Sequence, residues 1–143
     1  MSDKVKDILS KYKTIAMVGV SKDDRKPSTI VMRHMQEYGF KVIPVNPRAK
    51  GEKILGEEVF AKLENIKTPV DIVDVFRPSA EALNLAQETV KIGAKVFWLQ
   101  LGIRSEEAKE LVESKNIDYI ENSCTKMEFQ KLFLKIKPAF PVL

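Results

Sequence analysis

Two short runs carry the residue types best suited to holding an anion: Val18-Gly19-Val20-Ser21, after the apolar stretch Ile15 to Met17, and Asn46-Pro47-Arg48-Ala49-Lys50-Gly51, after Val42 to Val45. Gly19 lets backbone N–H groups approach a phosphate closely, and Ser21 adds a hydroxyl. A helix that starts soon afterwards turns its unpaired N–H groups and positive end toward the same spot. Ser21 stands where the second glycine of G-x-G-x-x-G would be, and no third glycine follows, so the loop is an anion cradle in outline only. A β-branched side chain at position 19 is expected to fill the space the phosphates approach, abolishing binding while leaving most of the fold. The second run is informative for what it lacks. Where dinucleotide folds place an Asp or Glu to take ribose hydroxyls, this chain has Asn46, Pro47, Arg48 and Lys50, and positive charge there accommodates a phosphate on the ribose.

Further polar segments join these two. Lys22 and Arg25 lie in the loop after Ser21, and Ser28 opens the helix behind it. Phe76-Arg77-Pro78 ends a third apolar strand with an aromatic ring, a planar cation and a rigid turn. An adenine could stack on either flat group, or Arg77 could fork to a phosphate, or Phe76 could simply complete the core. Gln100 and Gly102 follow a fourth strand. Each charge alone reads as an ordinary surface residue; their convergence on one end of a sheet carries the inference.

Catalytic constellations are lacking. His34, the one histidine, lies inside a helix away from the strand ends. Cys124 stands at a helix start, where the dipole favours the thiolate, although burial is the commoner fate of a small thiol. Asp71 and Asp74 are separated by an odd interval along one strand and so do not form an acid/base pair. Phe97 and Trp98 read as core, and no His, Cys and carboxylate spacing suggests a zinc site.

The elements that must position these residues alternate. An amphipathic helix is expected over Asp3 to Tyr12, with Val5, Ile8, Leu9 and Tyr12 on one side. A strand follows over Thr14 to Val20, then a helix from Pro27, suited to a first turn, to Tyr38 with Gly39 as its stop. Lys41 to Asn46 reads as the second strand despite Pro44, which removes a ladder donor. Residues 47–69 are irregular, with Gly51 and Gly56 as turn points and a short helix near Ala61 to Asn65. Strands at Asp71 to Phe76, Lys95 to Leu101 and Asp118 to Glu121 alternate with helices at Ser79 to Ile92 and Ser105 to Lys115. A last helix starts near Thr125, which has capping-box spacing to Glu128, and ends before Pro138. Short links between alternating strands and helices demand right-handed crossovers. The expected fold is α/β, a Rossmann-like doubly wound parallel five-stranded sheet of order 3-2-1-4-5 in a single domain, with ligand across the carboxyl ends of the strands.

The 143 residues suffice for one such domain but not for a second, catalytic one. There are 24 Lys and Arg against 20 Asp and Glu, a net charge of +4 spread along the chain without a basic block. That balance suits an anionic small ligand better than nucleic acid. The single cysteine excludes an internal disulfide framework, and no apolar run approaches the roughly 18 residues of a membrane span, so a cytoplasmic location is expected. From the residues alone the ligand is one with a phosphorylated ribose, and coenzyme A and NADP both qualify. The leading expectation is a CoA or acyl-CoA binding protein. The alternative is an NADP-dependent oxidoreductase of minimal size, for which the chain offers no plain substrate-activating acid or base. A third reading is a scaffold whose apolar tail, Pro138 to Leu143, docks on a partner.

Several segments together resemble a known family. They are Val18 to Ser21, Arg25 with Pro27-Ser28, Val42 to Pro47, Leu55-Gly56, Val70 to Arg77, Trp98 with Gln100 to Ile103, and Cys124 with Glu128. The chain is similar in them to the stand-alone CoA-binding proteins of the YccU type, and through these to the amino-terminal CoA-binding domain of the succinyl-CoA synthetase α subunit. The resemblance implies CoA over the strand ends, phosphates near Gly19 to Ser21, and Arg48 or Lys50 in the role of the synthetase's CoA-binding lysine. It also brings Cys124 near the ligand end, where oxidation is expected to yield a mixed disulfide with CoA if the CoA sulfur comes within reach. The synthetase's catalytic histidine belongs to a second domain with no counterpart here. The resemblance therefore implies a binding module, acting as a carrier, a sensor or a subunit beside an enzyme partner or in a homo-oligomer.

Overall fold

The computed structural model describes residues 2–136, so the apolar tail at 138–143 lies outside the described residues. Helix α1 (Ser2–Lys11) leads into β1 (Thr14–Val18), α2 (Pro27–Glu37) and β2 (Lys41–Val45). A two-stranded hairpin, β3 (Lys53–Ile54) with β4 (Glu57–Glu58), precedes β5 (Ile72–Val75), α3 (Ala82–Ile92), β6 (Val96–Leu99), α4 (Glu106–Ser114), β7 (Asp118–Ile120) and α5 (Thr125–Phe129).

The five long-range strands pair in parallel in the order β2-β1-β5-β6-β7. Alternate residues of β1 go to opposite sides. Ile15 and Met17 join a core with Val5, Leu9, Met32, Met35 and Phe129 from α1, α2 and α5, whereas Ala16 and Val18 join Leu85, Ala86, Ala108 and Val112 from α3 and α4. Both faces are therefore covered, which is why the strands read as unbroken apolar runs. This is the doubly wound, Rossmann-like α/β architecture expected from the sequence. Its outermost position, beyond β2, is reduced to a single parallel bridge from Phe60 to Val45. The Ile72–Val75 strand, third by sequence count among the core strands, lies on the other side of β1, and the winding reverses between β1 and β5.

Pro44 fits β2 because of that edge. Its carbonyl accepts from Phe60 N at 3.0 Å, so its backbone phase faces away from β1, where a missing N–H breaks no ladder bond. Within the irregular stretch the hairpin turns at Leu55 and Gly56, both at positive φ (49° and 83°), a two-residue turn of the kind that matches strand twist. The first strand ends two residues earlier than expected, because Gly19 at φ 91° cannot continue it.

The start of α5 also differs from expectation. Its N-cap is Cys124, without a side-chain cap, and Thr125 does not pair with Glu128. The Thr125 hydroxyl instead points inward, 3.1 Å from Oδ2 of Asp74, because a carboxyl group buried in the sheet needs its hydrogen-bond partners inside the fold. Beyond α5 the chain widens into a π-helical turn over Gln130–Leu134, closed by Lys135 at φ 55°.

Candidate functional site

The carboxyl ends of β1, β2 and β5 meet where the winding reverses, and there the surface opens into a cleft of about 600 Å³. The main chain draws these ends together. Gly19 N donates to Val45 O at 2.8 Å and Phe76 N donates to Val18 O at 2.8 Å, so the residues just past the three strands lie side by side. Gly19, Asn46, Pro47 and Arg48 form part of the wall, Arg77 another, and the opposite side comes from Lys62 and from α3 and its lead-in.

Asn46 organises the wall after β2. Its side-chain amide donates to Val20 O at 2.9 Å, and its Oδ1 accepts from Arg48 N at 3.0 Å, capping a 3-10 turn over Pro47–Ala49. Arg48 is thereby fixed at the rim with its side chain exposed, and among the described residues it has no carboxylate partner. Lys50 is exposed as well but does not line the cleft.

Gly19 is tightly surrounded on the side where a side chain would project. A Cβ there would stand 2.9 Å from Arg77 Cδ and 3.0 Å from Phe76 O. The space a substituent at 19 would fill is thus taken by protein. This corrects the expectation that a substitution at 19 spares the fold. Arg77 itself is held by Glu81, whose carboxylate accepts from Nε at 3.1 Å and from Nη2 at 2.7 Å. Phe76 is half-buried against the core and does not line the cleft, whereas Pro78 is exposed.

The loop after Gly19 is tied to α2. Ser28 Oγ accepts from Ser21 N at 3.0 Å, Ser21 Oγ accepts from Asp23 N at 3.0 Å, and Thr29 Oγ1 donates to Ser21 O at 2.7 Å. Ser28 is buried, and the side chain of Val20 belongs to the core, so Val20 can offer a ligand only its backbone. Lys22 pairs with Glu52 at 3.1 Å, and Arg25 folds back on Asp23 at 3.1 Å, where the guanidinium holds the carboxyl below its usual range. These two loop cations are engaged with acids, unlike Arg48.

Gln100, Gly102 and Cys124 do not join the cleft. Gln100 is buried, and its Nε2 donates to Asp74 Oδ1 at 2.6 Å and to Thr125 Oγ1 at 3.0 Å, so this polar strand end is an internal brace. Gly102 N donates to Asn122 Oδ1 at 2.8 Å at the surface. Cys124 is buried, and desolvation pushes its thiol above the usual value despite backbone N–H groups at the start of α5. Burial therefore outweighs the helix end, in keeping with the commoner fate of a small thiol. Incubating folded protein with CoA disulfide should leave the intact mass unchanged, and only denatured chain should gain a CoA-sized adduct. An adduct on the folded protein would contradict this assignment.

Sequence reasoning missed the helical wall. Glu81, Asn84, Leu85 and Glu88 line the cleft at the spacing of one helix face, a period that is legible in the sequence although nothing there marks that face as lining a cleft. Lys62 was hidden in the irregular stretch, which Phe60 anchors beside β2. Glu88 has its carboxyl raised by partial burial and by Glu64, opposed by Lys62 and Lys91. Among the described residues no group of His, Cys, Asp and Glu could hold a metal ion, and no helix is long and apolar enough to cross a membrane.

Residues 13–130 match the family model described as a CoA binding domain. The chain is 37% identical over 123 residues to the uncharacterized protein YneT of Bacillus subtilis, covering 86% of this chain and 90% of that protein. Among solved structures it is similar to cell-free ID.343 from Thermus thermophilus, with TM-score 0.89 and 38% identity over 93% of this chain and 99% of that one. It is also similar to a dinucleotide forming acetyl-coenzyme A synthetase 1 of Ca. Korarchaeum cryptofilum in its apo form. The TM-score there is 0.65 at 28% identity, and the match covers 79% of this chain but only 26% of the synthetase.

Proposed function

The chain belongs to the CoA-binding domain family, and from that premise we propose that it binds coenzyme A or an acyl-CoA in the cleft where β1, β2 and β5 end, without catalysis of its own. The observation that carries this reading is the pairing of a cationic rim with a glycine turn at the reversal of winding. Arg48 stands at the end of β2, where an acid would select an unphosphorylated ribose, and Arg77 crosses Gly19. The nucleotide end of CoA carries two kinds of anion, a pyrophosphate and a ribose 3′-phosphate. The phosphates lie beside Gly19 and Arg77, and the ribose phosphate meets Arg48. Lining of the cleft supports Arg48 over Lys50 for that role.

The protein acts as a carrier, a sensor or the CoA-binding subunit of a larger enzyme. The last of these is supported by the match to about a quarter of a synthetase chain. Calorimetric titration with CoA, dephospho-CoA, NADP and NAD tests the reading. CoA is expected to bind tightest, and loss of the 3′-phosphate or the substitution Arg48→Ala should each weaken binding by about tenfold or more, the worth of a hydrogen bond to a charged group. Arg48→Ala should have little further effect on dephospho-CoA. Equal affinity for CoA and dephospho-CoA would place the ribose phosphate in solvent, and tighter binding of NADP would favour a hydride-transfer ligand.

A further inference from the structure

Arg77 is constrained at both ends of its side chain. Its stem packs where Gly19 lacks a Cβ, with Cγ 3.3 Å and Cδ 2.9 Å from the position a Cβ would take. Its head is gripped by Glu81, four residues on, through Nε and Nη2. A guanidinium has two edges that can each present a pair of hydrogens. Glu81 takes the Nε–Nη2 edge, and the edge formed by Nη1 and the second Nη2 hydrogen has no protein partner among the described residues. Arg77, Glu81 and Gly19 all line the cleft.

We propose that Glu81 is a positioning residue for anion binding, holding Arg77 across Gly19 so that its free Nη1–Nη2 edge is offered as a preformed fork to the two oxygens of a pyrophosphate. This rests on the reading of the cleft as a CoA site. An isolated carboxylate on that wall would repel an anion; paired edge-on with Arg77 it is neutralised, and it removes the rotamer freedom that a long cation would otherwise lose on binding. The ion pair is half-exposed on both sides, so it contributes little to the stability of the fold. That property makes positioning separable from a structural role.

Glu81→Gln keeps an acceptor but loses the charge-assisted grip. It is expected to weaken CoA and dephospho-CoA by the same factor, about three- to tenfold, since both ligands carry the pyrophosphate, while the thermal midpoint stays within about one degree of the parent. In an Arg77→Met background, the same Glu81 substitution should change affinity by less than about twofold, because Glu81 acts through Arg77. Unchanged or tighter CoA binding by Glu81→Gln in a parent that binds CoA overturns this inference alone. So does a loss that persists in the Arg77→Met background, or one confined to CoA. A parent that binds neither CoA nor dephospho-CoA overturns the parent reading and this inference with it.

Discussion

Gly19→Val is expected to destabilise the protein by about 3–5 kcal/mol as well as abolish ligand binding. Two costs add. At φ 91° a β-branched residue lies outside its allowed backbone regions, which costs on the order of 1–3 kcal/mol. The new side chain must also displace Arg77 and press on the carbonyl of Phe76, at 2.9 and 3.0 Å from the Cβ position, an overpacking cost of about 1–3 kcal/mol. The arginine stem is flexible and can yield; the Phe76 carbonyl belongs to the chain leaving β5 and cannot move without the strand end. Urea unfolding of Gly19→Val, Gly19→Ala and Gly19→Ala with Arg77→Ala separates these terms. The alanine pair should recover part of the loss, the share due to the arginine, while the backbone share remains. A Gly19→Val protein as stable as the parent would show that the turn tolerates a side chain, and the argument from φ would be lost.

The second large effect is a dependence of stability on pH, centred on Asp74. This carboxyl is fully buried in the sheet, with Gln100 and Thr125 as its hydrogen-bond partners. Burial pushes its pKa from 3.8 up to about 7, against the opposing effect of the bonds from Gln100 and Thr125. The folded protein therefore holds a proton that the unfolded chain releases, and between about pH 4 and pH 7 stability falls as pH rises. The full contribution is present below pH 4, is lost progressively up to about pH 7, and amounts to at most about 4 kcal/mol. His34 works in the opposite sense. Burial lowers its pKa below the usual 6.5, so its contribution weakens as pH falls. Asp74→Asn isolates the acid, because the amide has the shape of the protonated carboxyl, with an acceptor for Gln100 and an N–H group for Thr125. The parent minus variant difference in thermal midpoint should grow more unfavourable to the parent from pH 5 to pH 8. Parallel profiles across that range would mean that Asp74 titrates alike in both states.

Much of the architecture was legible because its physical causes are local. Apolar runs without alternation identified strands buried on both faces, Pro27 and Gly39 bracketed α2, and Gly93 ended α3 in the left-handed conformation. The expectation of an anionic ligand rests on residue types as well, since a chain that follows β2 with Asn46, Pro47 and Arg48 has no carboxylate there for a ribose diol.

Side-chain partners depend on neighbours distant in sequence, and these only the tertiary structure decided. Gln100 and Cys124 share the polar or reactive character of site residues, yet one braces Asp74 and the other is desolvated, because β5, β6 and α5 close over them. Lys22 and Arg25 carry the same charge as Arg48, but Glu52 and Asp23 engage them. The space beside Gly19 was open in the sequence and is filled by Arg77, just past β5, a strand that pairs with β1 although it lies far along the chain. Residue type sets which interactions a position can make. Which of them it does make is decided by the company that chain crossing brings within a few ångströms, where burial and hydrogen-bond demand outweigh local preference.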